Sequence, residues 1–124
     1  KVSIFMDVFD CHVNRSPCSG AISEILYKPG KFFNASLDKA SEDNERNYYR
    51  IRNSDGKDII VVQIAGLVAR RIVTEVSKDE LVDQGSRIGM IRFGSRADMY
   101  FEEYTPLVKV NQKTIAGETL IAKR

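Results

Sequence analysis

Residues 47–65, NYYRIRNSDGKDIIVVQIA, decide the fold that this chain can adopt. Residues 47–52 and 59–65 are rich in β-branched and aromatic side chains, which predicts two β-strands. The NSDG segment at 53–56, which separates them, has the composition of a tight turn. This stretch therefore predicts a strand, a turn and a second strand.

The same pattern continues along the rest of the chain, and no window carries a convincing helical period. Further strands are predicted at 2–9, 21–27, 69–76, 87–93, 97–101 and 107–110. Further turns are predicted at 28–30, 84–86 and 105–106. The predicted fold class is all-β: a single domain of short antiparallel strands.

A weak internal repeat suggests how the strands are arranged. LVDQGSRIGMI aligns with KTIAGETLIA when Gly85 is placed on Gly117, so each unit has a turn glycine between short strands. Two such units resemble the barrel-sandwich hybrid of lipoyl and biotinyl carriers. This is an analogy at the level of the fold and carries no chemistry.

Composition excludes several classes of protein. A chain of 124 residues fits one domain, and a formal net charge of +2 does not indicate a nucleic-acid partner. The longest apolar run, Ile59 to Ala69, is interrupted by Gln63 and is well short of the roughly 20 residues of a membrane-spanning helix. Cys11 and Cys18 indicate neither a disulfide framework nor a metal site, and a reducing compartment is expected.

The segment RIGMIRFGSRADMY, residues 87–100, contains a candidate for unusual chemistry. Gly94 and Ser95 interrupt two strand-like runs, and the Gly94 carbonyl is unhindered on its Cα side. Addition of the Ser95 hydroxyl to that carbonyl would convert the peptide into an ester, and β-elimination and hydrolysis would leave a pyruvoyl group. The alternative interpretation of this dipeptide is a turn or a β-bulge.

Longer segments of the chain, including the one that contains this dipeptide, resemble a known protein family. FMDVFDCHVNRSPCSG at 5–20, PGKFFNASLDKASEDNERN at 29–47, VVQIAGLVARRIV at 61–73 and IRFGSRADMYF at 91–101 resemble the short prokaryotic type of phosphatidylserine decarboxylase. The final VKVNQKTIAGETLIA at 108–122 is similar to the carboxy-terminal end of that family. The resemblance is collinear and covers nearly the whole chain.

The resemblance implies a self-cleaving proenzyme, a carbon-carbon lyase that converts phosphatidylserine into phosphatidylethanolamine. Residues 1–124 would be a fragment of its catalytic domain. Cleavage between Gly94 and Ser95 would leave residues 1–94 in a β chain and residues 95–124 as the α chain. The cofactor would be the pyruvoyl group formed from Ser95, with neither a metal nor pyridoxal phosphate.

His12 is the candidate for proton transfer, because it is the single histidine of the chain. Asp10 would share its face in a regular strand. A surface histidine beside an acidic residue is the alternative, whereas the resemblance implies an active-site histidine. Longer bacterial members carry a second histidine where this sequence has Arg15, and a guanidinium cannot act as a base.

Three arginines are candidates for binding the substrate phosphate or carboxylate through bidentate hydrogen bonds: Arg15, Arg92 and Arg96. Solvated charges on strands are the alternative. The polar loop that holds Lys31, Asn34, Lys39 and Arg46 is predicted as a surface that meets a lipid headgroup, or else as a plain solvated loop.

The resemblance also implies partners and a location. The substrate would be phosphatidylserine in the membrane, the α and β chains would stay associated, and a homo-oligomer is left open. The expected location is the cytoplasmic face of a bacterial inner membrane, peripheral or anchored through a segment before Lys1. The family's Pro-Ala-Asp-Gly segment would also precede Lys1, so this piece alone is expected to self-cleave poorly or not at all.

Two other interpretations remain open. One is a non-catalytic β-barrel carrier or binding module, although a carrier needs an exposed lysine at a hairpin tip and the candidate turns offer Gly85-Ser86 and Ala116-Gly117 instead. The other is a decarboxylase homologue that is not processed. The mass of the intact protein distinguishes the second of these from the enzyme.

Overall fold

The computed structural model describes residues 1–6, 13–35, 43–66, 72–91 and 95–123. The described residues form strands joined by turns and loops, with no helix among the elements, so the predicted all-β class is confirmed. The strands are β1 Val2–Met6, β2 Val13–Arg15, β3 Gly20–Lys28, β4 Arg46–Asn53, β5 Asp58–Ile64, β6 Ile72–Thr74, β7 Leu81–Val82, β8 Arg87–Ile91, β9 Ser95–Tyr100, β10 Thr105–Pro106 and β11 Ala122–Lys123.

The strands form three antiparallel sheets. A large sheet has the order β1-β9-β5-β4-β3-β7, a small sheet has the order β2-β8-β6, and β10 pairs with β11. The hairpin of β4 and β5 is the one predicted from residues 47–65, with Tyr49 opposite Val61. Its turn is held by Asn53, whose Oδ1 accepts hydrogen bonds from the backbone N–H groups of Asp55 and Lys57.

The hydrophobic core lies between the large and the small sheet. Its main cluster joins side chains of the large sheet, such as Ile22, Ile51 and Val61, to Ile88 of the small sheet. A second, smaller cluster contains Met6 and Ile91, with Ile72 and Ala97 packed against it. Burial of each large aliphatic side chain contributes about 1.5–3 kcal/mol, so the contact between the two sheets is a major source of stability.

Several predicted boundaries are wrong, most clearly after residue 104. Thr105 and Pro106, predicted as a turn, form β10 and pair with β11, where an edge position tolerates the missing N–H of proline. Residues 107–110, predicted as a strand, are irregular, and Val110 is 91% exposed. An alternating pattern forms a strand only where a partner strand and a buried face exist.

The internal repeat is confirmed only in part. The turn at Gly85, with φ of 83°, connects β7 to β8 as predicted. Gly117 also adopts a positive φ, of 77°, but the residues before it form no strand. β2 was not predicted, and β7 was predicted only as part of the repeat, because strands of two or three residues are too short to show an alternation.

Arg46 is a further correction. It was expected in a surface loop, yet it is the first residue of β4 and is only 4% exposed. Its Nε donates a hydrogen bond of 2.9 Å to the Asn44 carbonyl. Lys39 lies outside the described residues. Among the residues that the structure describes, no helix is long and apolar enough to cross a membrane.

Candidate active site

Ser95 is the first residue of β9 and is almost completely buried, with 1% of its surface exposed. Strand β9 lies between β1 and β5, and Met6 of β1 is the pairing partner of Ser95. Within the described part of the chain, the Ser95 Oγ has no hydrogen-bond partner. A buried hydroxyl without a partner is destabilising by about 1–3 kcal/mol, so its presence needs a functional reason.

The side chains of β9 alternate between two faces, and Ser95 belongs to the face that points at the small sheet. Its partner Met6 packs against Ile91 of β8 in the smaller core cluster, together with Ala97. Gln63 of β5 is the pairing partner of Ala97, and paired residues project to the same side of a sheet. We call this side of β9 the inner face, and it brings Met6, Gln63 and Ser95 together.

Polar side chains form a connected network on the inner face. The Tyr49 hydroxyl lies 2.6 Å from Gln63 Oε1, and the Asn47 amide donates to the same oxygen at 3.3 Å. Gln63 Nε2 donates to Asn14 Oδ1 at 2.9 Å. The Asn14 amide nitrogen then lies 3.7 Å from Met6 Sδ. We call Asn14, Asn47, Tyr49 and Gln63 the amide network.

Burial sets the protonation state at one end of this network. Desolvation is the main reason why the pKa of Tyr49 is raised above its ordinary value, although hydrogen bonds to Thr74 and Asn47 oppose it. The phenol therefore stays protonated at neutral pH, and its O–H donates a hydrogen bond to Gln63 Oε1. Because the network is buried, each of its hydrogen bonds is shielded from competition with water.

The small sheet approaches the amide network closely at Gly89 of β8. A Cβ at this position would lie 2.5 Å from Gln63 Nε2 and 2.7 Å from the Tyr49 hydroxyl. It would also lie 2.5 Å from the Val73 carbonyl oxygen. Glycine is therefore required for the two sheets to meet over Gln63.

The opposite side of β9, which we call the outer face, holds a buried ion pair. Arg96 and Asp98 are 4% and 1% exposed, and Arg96 Nε lies 3.1 Å from Asp98 Oδ1. Arg96 Nη1 donates to the Ala35 carbonyl at 3.1 Å, and the guanidinium lies 5.6 Å from the centre of the Phe5 ring. Arg96 therefore follows Ser95 in sequence but projects to the other side of the sheet.

Arg15, which was also predicted to bind the substrate phosphate or carboxylate, lies against two turns. Its Nη1 donates to the Gly85 carbonyl at 2.8 Å, and its Cδ lies 3.3 Å from the position that a Cβ of Gly117 would occupy. These are the two turn glycines of the internal repeat, so Arg15 connects the carboxy-terminal segment to the turn between β7 and β8.

The other predicted site residues are His12, Arg92 and Gly94, and they lie outside the described residues. The same holds for Asp10, which was expected to orient His12. The structure therefore describes Ser95, Arg15 and Arg96, and it separates Ser95 from Arg96 by the thickness of the sheet.

Cys18 is a free thiol and partly buried. Desolvation raises its pKa, so the thiol stays protonated and is a poor nucleophile. Across the described ranges, no three His, Cys, Asp or Glu side chains converge to hold a metal ion.

The amide network was not predicted from the sequence. The available signal was Gln63, which interrupts the longest apolar run of the chain. A polar residue within a fully buried strand requires buried hydrogen-bond partners. Its partners, Asn14 and Tyr49, are far away in sequence, and only the register of the strands identifies them.

Comparison with known proteins gives a consistent assignment. The family model for phosphatidylserine decarboxylase matches residues 1–122. A protein of Pelagibacter ubique (strain HTCC1062) named phosphatidylserine decarboxylase proenzyme is 78% identical over 124 residues, which is 100% of this chain and 58% of that protein. A protein of the same name from Ruegeria pomeroyi is 58% identical over 98% of this chain and 56% of its own length.

The chain spans about half the length of the curated relatives that it matches. No solved structure matches it significantly. The family match extends over both faces of β9 and over the segment that contains Ser95. The chain belongs to the phosphatidylserine decarboxylase family.

Proposed function

We propose that the protein carrying this chain converts phosphatidylserine into phosphatidylethanolamine with a pyruvoyl group made from Ser95. Family membership and the names of the relatives, which are decarboxylase proenzymes, support the decarboxylase activity. One observation carries the finer proposal: the Ser95 Oγ is buried and has no partner among the described residues. A reaction of this hydroxyl is a physical reason for leaving it unpaired.

The proposed self-cleavage has three steps. Ser95 Oγ adds to the carbonyl carbon of Gly94, the C–N bond breaks, and an ester forms with a free Ser95 amino group. The Cα proton of Ser95 is then removed, the Cβ–Oγ bond breaks, and Gly94 leaves as a carboxylate that contains the former Oγ. Water hydrolyses the remaining enamine, after its tautomerisation, to a pyruvoyl group and ammonia.

The position of Ser95 at the start of β9 suits a cleaved chain. The strand is paired on one side with β1, over the five residues from Val2 to Met6, and on the other side with β5. Apart from the pair of Met6 with Ser95, these pairs include no residue of the proposed cleavage bond. The α chain would therefore remain in the fold, and the contacts of Arg15 with Gly85 and Gly117 would tie its distal part to the β chain.

The surroundings of Ser95 fit a carbonyl group made in place. The pyruvoyl group would supply an electron sink for the electron pair that remains when carbon dioxide leaves the substrate. The side chains of Met6, Ile91 and Ala97 form an apolar part of the inner face beside Ser95. They would limit the access of water to the pyruvoyl group. Neither a metal nor pyridoxal phosphate is needed in this proposal.

The remaining roles are part of the same proposal. His12 would transfer the proton to the former α carbon of the substrate, and Arg15, Arg92 and Arg96 would bind its phosphate or carboxylate. For Arg96 this role requires a change, because its guanidinium faces Asp98 and the Ala35 carbonyl on the outer face. The substrate would be a membrane lipid reached from the cytoplasmic face of a bacterial inner membrane.

The proposal is tested on the whole protein that carries this sequence, by denaturing mass spectrometry of the purified protein. We expect two chains separated after Gly94, with an α chain whose amino terminus reacts with phenylhydrazine, a reagent for carbonyl groups. Ser95→Ala should remain a single chain. Ser86→Ala is the matched control, because Gly85-Ser86 is another Gly-Ser pair, and it lies in an exposed turn.

A wild-type protein that stays in one piece would contradict the proposal and indicate an unprocessed homologue or a binding module. Equal cleavage of the wild type and Ser95→Ala would place the reaction elsewhere. Conversion of phosphatidylserine in detergent micelles to phosphatidylethanolamine, measured with the cleaved protein, then tests the activity itself.

A further inference from the structure

The hydrogen bonds of the amide network run in one direction along the inner face. Gln63 Nε2 lies 3.5 Å from the Val73 carbonyl oxygen, which can only accept a hydrogen bond. This fixes the amino group of Gln63 on the side of Val73 and Asn14. Gln63 Oε1 consequently accepts from Tyr49 and Asn47.

The orientation of Asn14 follows from that of Gln63. Because Gln63 donates to Asn14 Oδ1, the amino group of Asn14 must point the other way. It points to Met6 Sδ at 3.7 Å, and a thioether sulfur is a weak acceptor. Asn14 is 6% exposed, so water does not compensate for this poor partner. Among the described residues, the network therefore ends in a strong donor whose partner is a weak acceptor.

Met6 is also paired with a residue whose buried acceptor has no donor among the described residues. Met6 is the pairing partner of Ser95, and the Cβ atoms of such a pair are about 4.5–5.5 Å apart. The Ser95 Oγ accepts no hydrogen bond from any described residue. If the Asn14 amide donated to Ser95 Oγ instead of to Met6 Sδ, both buried groups would gain a hydrogen bond. Only the weak hydrogen bond to sulfur would be lost.

We propose that Asn14 is a catalytic residue of self-cleavage whose amide donates to Ser95 Oγ, with Gln63 and Tyr49 as positioning residues. This inference rests on the proposed function. In the elimination step the Cβ–Oγ bond breaks and the electron pair moves to Oγ, which departs as part of the Gly94 carboxylate. A donor held at Oγ stabilises this developing charge. It does not assist the first step, in which Oγ must act as a nucleophile.

The proposal therefore predicts which intermediate accumulates. Asn14→Ala in the whole protein should slow pyruvoyl formation by roughly 10- to 100-fold, the range for loss of one hydrogen bond to a charged group. The ester should accumulate, because its formation does not depend on Asn14. Hydroxylamine cleaves esters, so it should release an α chain with a free Ser95 amino terminus, detected by mass spectrometry.

Asn14→Asp gives a second readout that a structural role would not produce. The acid keeps an oxygen for Gln63, but its ionised form presents no donor to Oγ. Its rate of pyruvoyl formation should rise relative to that of the wild type as the pH falls and the carboxyl group becomes protonated. A pH profile parallel to that of the wild type would overturn the proposal.

Asn53→Ala is the control, because it removes three side-chain hydrogen bonds at the turn that connects β4 to β5, against two for Asn14→Ala. Melting temperatures are compared in the Ser95→Ala background, where no variant is cleaved. In that background, Asn53→Ala should lower the melting temperature. In the protein that retains Ser95, Asn53→Ala should form the pyruvoyl group without accumulation of the ester. Accumulation of ester in Asn53→Ala, or its absence in Asn14→Ala, would overturn the role of Asn14.

A different result is expected if the proposed function itself is wrong. In that case the wild type itself would give no pyruvoyl terminus, and both proposals would fall together. A wild type that forms the pyruvoyl group, beside an Asn14→Ala variant that forms it equally fast, would remove the role of Asn14 alone.

Discussion

The two faces of β9 both bury polar side chains, but they do so in different ways. On the outer face, the opposite charges of Arg96 and Asp98 lie 3.1 Å apart and offset each other, although neither carboxylate oxygen of Asp98 accepts a hydrogen bond from a described residue. On the inner face, the neutral hydroxyl of Ser95 has no partner among the described residues, and the amide network ends at Met6, the residue paired with Ser95. The outer face therefore has a counter-charge for its buried group, whereas the buried hydroxyl of the inner face has neither a counter-charge nor a hydrogen bond within the described residues.

The outer face also shows what the compensated pair holds. Arg96 bonds the Ala35 carbonyl and lies over the Phe5 ring, so it joins β9 to β1 and to the loop that follows β3. The described residues of the inner face include no comparable ion pair. Its hydrogen bonds instead connect the large sheet to β2, β6 and β8 of the small sheet through Gln63 and Tyr49.

The largest expected effect on stability comes from breaking the outer-face pair. Asp98→Ala removes the carboxylate that lies 3.1 Å from the buried Arg96 guanidinium, which should lower the free energy of unfolding by about 3–5 kcal/mol. The measurement is urea unfolding of the whole protein in the Ser95→Ala background, in which cleavage does not interfere. Replacing both members, by Arg96→Met with Asp98→Leu, should cost clearly less because no unpaired charge remains.

The control for Asp98→Ala is the exposed pair of Arg87 and Glu75, whose side chains are 52% and 31% exposed. Glu75→Gln should lower the free energy of unfolding by less than about 1 kcal/mol, since solvent screens such pairs. If Asp98→Ala were as mild as Glu75→Gln, the outer face would not be the compensated structural site described above.

A steric change at the contact between the sheets has the next largest expected effect. Gly89→Ala places a methyl group within 2.7 Å of Gln63 Nε2 and of the Tyr49 hydroxyl, which forces the sheets apart. We expect a loss of about 1–3 kcal/mol in urea unfolding. Gly56→Asn is the control, because Gly56 lies in a turn with a positive φ, which asparagine tolerates, and has open space around it. Equal losses for both variants would contradict a steric role of Gly89.

Removal of one hydrogen bond of the amide network has the smallest expected effect. Tyr49→Phe deletes the donor to Gln63 Oε1 and should lower the free energy of unfolding by about 1–2 kcal/mol near neutral pH. Tyr100→Phe is the control, since Tyr100 is 42% exposed. It should change stability by less than about 0.5 kcal/mol.

The loss on Tyr49→Phe should also depend on pH. The pKa of Tyr49 is raised in the folded protein, mainly by desolvation, so the protonated phenol contributes stability below its unfolded pKa of about 10. That contribution is lost as the pH rises through the folded pKa. The difference between the wild type and Tyr49→Phe should therefore shrink in strongly alkaline urea titrations, and a constant difference would argue against burial of the phenol.

Local patterns in the sequence predicted much of the fold. The hairpin of β4 and β5 was predicted together with its turn, because both strands carry enough β-branched and aromatic residues to show the pattern. The short strand β2 was missed, β7 was predicted only through the internal repeat, and Thr105-Pro106 was predicted as a turn instead of a strand. In these segments, the partner strand rather than local propensity determines the structure.

The candidate site was predicted in part. Ser95 and Gly94 were identified from the Gly-Ser pair and its family-like context, whereas Asn14, Tyr49 and Gln63 were not assigned any role. Asn14 lies 49 residues from Gln63 along the chain, and the side chains meet only because β2 and β5 belong to facing sheets.

The sequence alone determined the all-β class, the family and the serine at the centre of the proposal, because alternation, turn residues and collinear motifs are local properties of a chain. The tertiary structure decided which face of β9 each polar residue occupies. A strand reverses the direction of successive side chains, so Ser95 and Arg96, adjacent in sequence, are directed to opposite sides of a sheet. Only the pairing of β9 with β1 and β5 determines that Ser95 lies on the face of the sheet that carries the amide network.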